Sequence, residues 1–434
     1  MPNFLHHTRR IFATMAAAGL LLLSACESKY NDNTDTRILR FTFGAAANAP
    51  GIESVSFTID NDNNLIFNED SAAYGSNLTR LYPSITYYEK PYSIAVDGEV
   101  WNETDSLDFS YPRILTIVSG DGKNTDEYTV KVLKHKVDPD KFVWKRHSDL
   151  PLDFAPKGFK ALAGENLILV VKKVDGARVM STADGDNWTT VADIATTVDV
   201  TTATLSNDTV YMTTTSRDAL LYVTLDGQQG TYSTGSWEVC DIYGILNGKP
   251  CIFAYEGDTP VMLALTDGSL QAIELTDALP TGMPYTGASK VTIDGRVIVI
   301  GGSVRNAEEY SGEVFSANGV GDYWAKTNSN STSLTIGKRA WAAATCYFGK
   351  IYLFGGTRLW DSSPANTINY SVDQGFSWDT STTMGLPDDY LSRKLHGAVT
   401  WNKSIWLIGG LDKNLSWNSD VREGRINRAD FIKQ

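Results

Sequence analysis

Apolar and polar residues alternate with a period of two in the first third of this chain. Leu39, Phe41 and Phe43 are separated by polar neighbours, as are Val55, Phe57 and Ile59, and the runs Leu115 to Val118 and Tyr128 to Val132 are similarly strand-like. Successive side chains of a strand point to opposite faces, so the pattern predicts half-buried strands lying on a core. Residues 37–136, with the Ser119-Gly120-Asp121-Gly122 turn between two of those strands, have the length of one Ig-like β-sandwich. A linker containing Asp138-Pro139-Asp140 follows.

Beyond the linker the pattern becomes a repeat: a tight hairpin, an apolar strand often ending in Gly-Gly, and a closing Asp/Gly/Trp turn. The clearest strands are Val297 to Gly302, Ile351 to Gly356 and Ile405 to Gly410. Six hairpin turns stand between apolar, β-branched runs, at Gly164-Glu165, Asn207-Asp208, Asn247-Gly248, Asp294-Gly295, Phe348-Gly349 and Asn402-Lys403. Their spacing of 40 to 54 residues is that of a four-stranded blade, so residues 140–434 are expected to form a six-bladed β-propeller. The last repeat runs out after Ala429 without a closing Trp, whereas Phe142-Val143-Trp144 stands alone before the first. Pairing the Trp144 strand with the final blade would close the ring and remove two open sheet edges. The expected fold class is therefore all-β, an Ig-like sandwich followed by a six-bladed propeller.

The first 25 residues carry an address instead of a fold. His6, His7, Arg9 and Arg10 precede an apolar run from Ile11 to Leu23, too short to span a bilayer comfortably, and Leu23-Ser24-Ala25-Cys26 resembles the bacterial lipobox. Cys26 is the expected lipidated N-terminus, residues 26–36 a polar, flexible tether, and the outer membrane of the cell envelope the expected location. Removing Arg9 and Arg10 from the 38 basic residues leaves 36 against 51 acidic ones, a net charge of −15 for the mature chain. Such a surface makes nucleic acid an unsuitable partner. Three cysteines remain, Cys240, Cys251 and Cys346. Counting back from an Asn247-Gly248 turn puts Cys251 opposite Gly244 and Cys240 opposite Tyr255, so a disulfide between the two is not favoured.

Ser371-Val372-Asp373-Gln374-Gly375-Phe376-Ser377-Trp378 matches the Asp-box, with degenerate copies at Thr182 to Trp188 and Ser316 to Trp324. In such a turn the carboxylate accepts backbone N–H groups, Gly375 supplies φ > 0 and Trp378 wedges between strands, so Ser371, Asp373, Gly375 and Trp378 are expected to be structural. The Gly-Gly strand ends resemble Kelch repeats, in which the second glycine lets strands crowd the axis; Tyr370 and Trp378 follow Gly355-Gly356 in a similar way. The first three blades lack Gly-Gly. Lipobox, sandwich and mixed Kelch/Asp-box propeller together look like an uncharacterised family of Bacteroidetes lipoproteins whose propeller is similar to that of galactose oxidase. The resemblance implies fold and address, not an activity.

Catalytic constellations are sparse. A copper radical oxidase needs two histidines plus tyrosines, and only His135, His147 and His396 follow the leader. A sialidase needs three converging arginines with a tyrosine nucleophile; Arg339, Arg358, Arg393 and Arg422 are the candidates, but no Arg-Ile-Pro-like motif introduces them. Asp388-Asp389 is a weak candidate for paired acid and base. No cofactor or metal site is implied. Aromatics on loops between second and third strands, and between blades, suit sugar rings: Trp360, Trp417, Tyr390 and Tyr285 as stacking faces, with Arg358, Arg393 and Asp361 as hydrogen-bonding groups. The expectation is a non-enzymatic lipoprotein binding a glycan or an envelope protein, with a sialidase-like hydrolase or lyase as the alternative.

Overall fold

The computed structural model describes residues 32–139, 141–319, 321–327, 336–381 and 384–430. The leader and Cys26 lie outside the described residues. The chain forms two compact units, 1–139 and 140–434, and among the described residues the regular elements are strands and short 3-10 turns.

In the first unit Ile38–Phe43 pairs with Pro83–Tyr87 as a two-stranded sheet, and six further strands form a second sheet in which Leu65–Phe67 runs parallel to Thr125–Lys131. Phe41, Phe43, Phe57 and Phe109 meet edge to face with centroids 5.0 to 6.3 Å apart at the centre of the core. Strict alternation fails at one place. Leu39 is 54 % exposed and Ile38 is buried, because the register slips by one between Ile38 and Arg40 and reverses the faces before it. The end of the expected tether is also tied down: Thr36 is buried with its hydroxyl donating to Asp126, and the Asn124 side chain donates to the Thr34 carbonyl at 2.9 Å.

Among the described residues the second unit has six antiparallel sheets, four of them with strands in simple chain order, the fourth with Pro284–Thr286 and Ser289–Ile293 both paired to Arg296–Val304, and the last completed by a strand from the start of the unit. Their first strands, Gly158–Ala163, Val198–Ser206, Glu238–Leu246, Ser289–Ile293, Ala340–Tyr347 and Gly397–Trp401, pack each against the next, and the last packs back on the first. Hydrophobic clusters fill the spaces between neighbouring sheets; Trp378, for example, lies with Ile298, Val314 and Leu353 of two adjacent sheets. Phe142–Arg146 is the outermost strand of the last sheet, paired antiparallel with Val421–Ile426 so that Trp144 faces Gly424. His147 anchors the chain beyond it, its ring nitrogens 3.0 Å from Asp186 and 2.9 Å from Glu423.

The Gly-Gly pairs have a specific cause. A Cβ on Gly301 would stand 2.4 Å from the Arg339 carbonyl oxygen, and one on Gly355 2.2 Å from that of Arg393. Those carbonyls accept the N–H of Gly302 and Gly356, so each pair receives the backbone entering the next sheet. All six glycines have φ > 0. Crowding therefore falls on the first glycine as much as on the second. Cys251 faces Gly244, but Tyr255 faces Glu238, not Cys240, because two bulges displace the register between Val239 and Gly244. All three cysteines are free thiols.

Candidate functional site

Because each sheet is antiparallel, first-to-second and third-to-fourth turns share one end of the ring. Second-to-third turns and sheet-to-sheet connections share the other. At this second end lies a cavity of about 330 Å³, lined by Lys157, Lys172, Asp199, Thr201, Arg217, Trp341, Trp360, Leu395, Leu411 and Leu415 among others.

The backbone of this cavity is unusual. Arg217 (φ 63°), Trp341 (φ 53°), Leu395 (φ 53°) and Leu415 (φ 62°) all adopt the left-handed conformation. Other non-glycine residues with φ > 0 among the described residues are Asn and Asp, or Phe348, Gln374 and Lys403 in tight turns, where the conformation serves chain reversal. A bulky residue in this region costs about 1–3 kcal/mol and persists only where its surroundings hold it. At Trp341 and Leu395 they do, the Trp341 N–H donating to the Gly287 carbonyl at 2.9 Å and the Leu395 N–H to the Trp341 carbonyl at 3.1 Å, whereas Arg217 and Leu415 close tight turns, their N–H groups donating to the Thr214 and Asp412 carbonyls at 3.0 and 3.2 Å. Two bulky residues held in this way, beside two left-handed turn residues, mark the cavity as the candidate site.

Its side chains form an indole wall beside a cationic wall. Trp341 meets Trp360 edge to face at 4.8 Å and Tyr310 at 4.9 Å. Buried Lys394 sits 4.0 Å from the Trp360 ring centroid, its ammonium donating to the Trp360 carbonyl; burial holds its pKa below the usual lysine range. The aromatic face is thus fixed from behind. Across from it, Lys157, Lys172 and Arg217 have no carboxylate partner among the described residues. Arg217 stacks on Tyr285 at 3.6 Å and donates to the Cys240 and Tyr285 carbonyls through one nitrogen. Asp199 accepts from Thr201 N–H (3.0 Å) and Thr201 Oγ1 (2.6 Å) on one oxygen and from Thr286 (2.9 Å) on the other. Its role is to shape the loop.

Of the residues singled out from the sequence, Trp360 lines the cavity and Tyr285 supports it through Arg217. Tyr285 itself donates its hydroxyl to Glu238, and burial followed by that bond pushes its pKa up to about 12. Arg358 and Asp361 are exposed on the loop that carries Trp360. Trp417 bridges to Leu411 but does not line the cavity. Arg393 is 1 % exposed and committed to structure: it donates to the Leu391 and Gly409 carbonyls and to Asp420, and lies 3.9 Å over the Tyr390 ring. Arg422 shares Asp420 with it and also reaches Asp389, while Arg339 donates to Asn369. Those arginines are paired inside the sheets, not gathered as a carboxylate clamp. Sequence reasoning passed over Trp341, Arg217, Lys157, Lys172 and Asp199. The first strand edges and second-to-third turns were where to look, since both open at this end.

The turn at Ser371 to Trp378 lies at the opposite end. Ser377 N–H donates to Asp373 at 2.9 Å, Gly375 N–H to the Ser371 hydroxyl at 2.8 Å, and the Trp378 indole to the Gly375 carbonyl at 3.2 Å. Thr182 to Trp188 repeats all three bonds, with Asn187 N–H to Asp184 at 2.8 Å, Gly185 N–H to Thr182 at 3.0 Å and Trp188 to the Gly185 carbonyl at 3.1 Å. Among the described residues no group of three or more His, Cys, Asp and Glu side chains is placed to hold a metal ion.

The DUF6242 beta propeller domain matches residues 138–434, well over half of the chain. The chain belongs to the DUF6242 family. The family's N-terminal domain, a domain of unknown function, matches residues 26–132. The C-terminal unit of this DUF6242 protein is accordingly a β-propeller. No curated protein matches the sequence. Solved structures similar to it include that of YjhT, at 12 % identity over 63 % of this chain and 95 % of that one with a TM-score of 0.47. Another is selenomethionine-substituted virginiamycin B lyase from Staphylococcus aureus, at 12 % identity over 66 % and 99 % with a TM-score of 0.40.

Proposed function

We propose that this DUF6242 protein is a non-enzymatic glycan-binding lipoprotein of the cell envelope. In this reading six Kelch-like blades, closed by the Trp144 strand and braced by Asp-box turns, present the site, the N-terminal unit is an Ig-like sandwich that spaces it from the membrane, and Cys26 carries the lipid. The observation that carries the reading is a cavity with an indole wall and a cationic wall, in which Trp341 and Leu395 are held in the left-handed conformation. Indoles stack on the C–H faces of a sugar ring, and unpaired Lys157, Lys172 and Arg217 in an acidic chain favour a ring bearing a carboxylate or sulfate. Hydrolysis or elimination needs a placed acid and base. Asp199 is the one carboxylate lining the cavity, and both of its oxygens already accept hydrogen bonds. That favours binding over a sialidase-like activity.

An array of acidic and neutral glycans tests the proposal, followed by calorimetry on the best ligand. Trp360→Ala and Arg217→Ala are each expected to weaken binding about ten- to a hundredfold. Raised salt should weaken it further. If no glycan binds, or both variants bind like the parent, the reading is wrong.

A further inference from the structure

A second cavity occupies the other end of the propeller axis, independent of the glycan reading. It measures about 680 Å³ and is walled by the ends of the first strands, where Ala161, Ala203, Gly244, Ala344 and Ala398 keep the channel wide between threonines and two lysines. A void of about 20 Å³, room for roughly one water, lies between Lys160 and Trp341. Lys160 lines both.

Two lysines face this space, and they differ. Lys290 donates to Asp241 and, at 3.1 Å, to the Thr201 carbonyl. Lys160 has no hydrogen-bond or ion-pair partner among the described residues. Around it stand Lys290 on the fourth first strand, Asp241 and Asp199 on the third and second, and His396 beside the narrow void. Asp241 is fully buried, and its second carboxylate oxygen is also without a partner.

We propose that Lys160 is an imine-forming amine that captures a small aldehyde admitted from the hairpin-turn end of the axis. Removal from water and a neighbouring cation are the two features that keep a lysine amine neutral and nucleophilic, and Lys160 has both among the small first-strand residues. Burial first, and Lys290 second, bring the Lys160 pKa down to about 8. The nitrogen lone pair attacks the carbonyl carbon, the amine proton passes to the carbonyl oxygen, and the carbinolamine loses water to leave the C=N bond. Aldehyde and amine give imine and water, with no oxidant or reductant required. Asp241, close enough to act on Lys160 electrostatically and with one oxygen unpartnered, is the carboxylate available to relay the proton.

The test is reductive trapping of the full chain with butanal and cyanoborohydride from pH 6 to 10, read by peptide mass spectrometry. Lys160 is expected to be alkylated about tenfold or more faster than exposed Lys123 near neutral pH, with a half-maximum near pH 8. Lys290→Met removes the neighbouring cation and frees Asp241, both of which raise the Lys160 pKa, so its profile should move to higher pH. Alkylation of Lys160 no faster than that of Lys123, or a profile unmoved by Lys290→Met, overturns the proposal. Both readouts leave Lys160 itself intact and do not depend on whether a glycan binds.

Discussion

Two cation-rich regions of the propeller open toward the same end of its sheets, yet their charges are used differently. In the last sheet Arg393, Asp420, Arg422 and Asp389 form a chain of ion pairs at 2.5, 3.0 and 2.7 Å, and the two arginines are almost wholly buried. In the cavity between the first two sheets and the indoles, Lys157, Lys172 and Arg217 form no ion pair among the described residues. The first region converts charge into rigidity. The second leaves its cations without an internal counter-ion among the described residues. Cation content alone does not locate a site; the balance of donors already satisfied does.

That contrast breaks most visibly at Asp420. Burial would raise its pKa, but Arg393 and Arg422 outweigh burial and hold the carboxyl below the usual range. Asp420→Ala strands Arg393 in the interior and should cost about 3–5 kcal/mol in denaturant unfolding. A cost under about 1 kcal/mol would show that the network is not structural.

His396 sharpens the comparison through pH. It packs beside Arg393 with neither ring nitrogen partnered, and burial first, then Arg393, pushes its pKa down to about 3. The unfolded chain takes up a proton below about pH 6.5 while the folded one does not, so stability is full above that pH and falls as pH drops toward 3. Between about pH 7 and 5 the loss should be on the order of 2 kcal/mol, and His396→Leu should remove most of it. Equal slopes for parent and variant would mean that the ring is already solvated in the fold.

Asp373 is the structural acid at the opposite end. Asp373→Ala leaves the Ser377 N–H without its acceptor and should cost roughly 1–3 kcal/mol, with ligand affinity of the folded fraction unchanged. Loss of binding at unchanged stability would place a ligand at that turn instead. The smallest effect belongs to the unpaired charge: Lys172→Ala should move stability by no more than about 0.5 kcal/mol while weakening any acidic ligand. A large stability loss there would mean that the lysine has an internal partner after all.

The order of strands and the turns between them were legible in the chain, because both depend on local chemistry. Asn-Gly and Asp-Gly dipeptides permit the left-handed backbone of a hairpin, and a serine or threonine followed by Asp, Gly and Trp builds the same three bonds at Thr182 and at Ser371. Trp360 was legible too, as a large aromatic on a loop. Its neighbours were not. Leu39 turned outward and Tyr255 met Glu238 because single-residue bulges shift register, and no side-chain pattern announces a bulge.

Arg393 and Arg217 are equally plausible donors on paper; only tertiary packing set Asp420 against one and left the other open toward a cavity. Trp341 stood at the start of an ordinary strand. It became a wall of the site because the Gly287 and Leu395 backbones hold it at φ 53°. Local sequence decided which segments are strands and where they turn, since those choices rest on neighbours a few residues apart. Which charges are satisfied, and which backbone is held under strain, rests on residues far apart in the chain, such as Gly287, Trp341 and Leu395 from three successive sheets, and only tertiary packing brings them together.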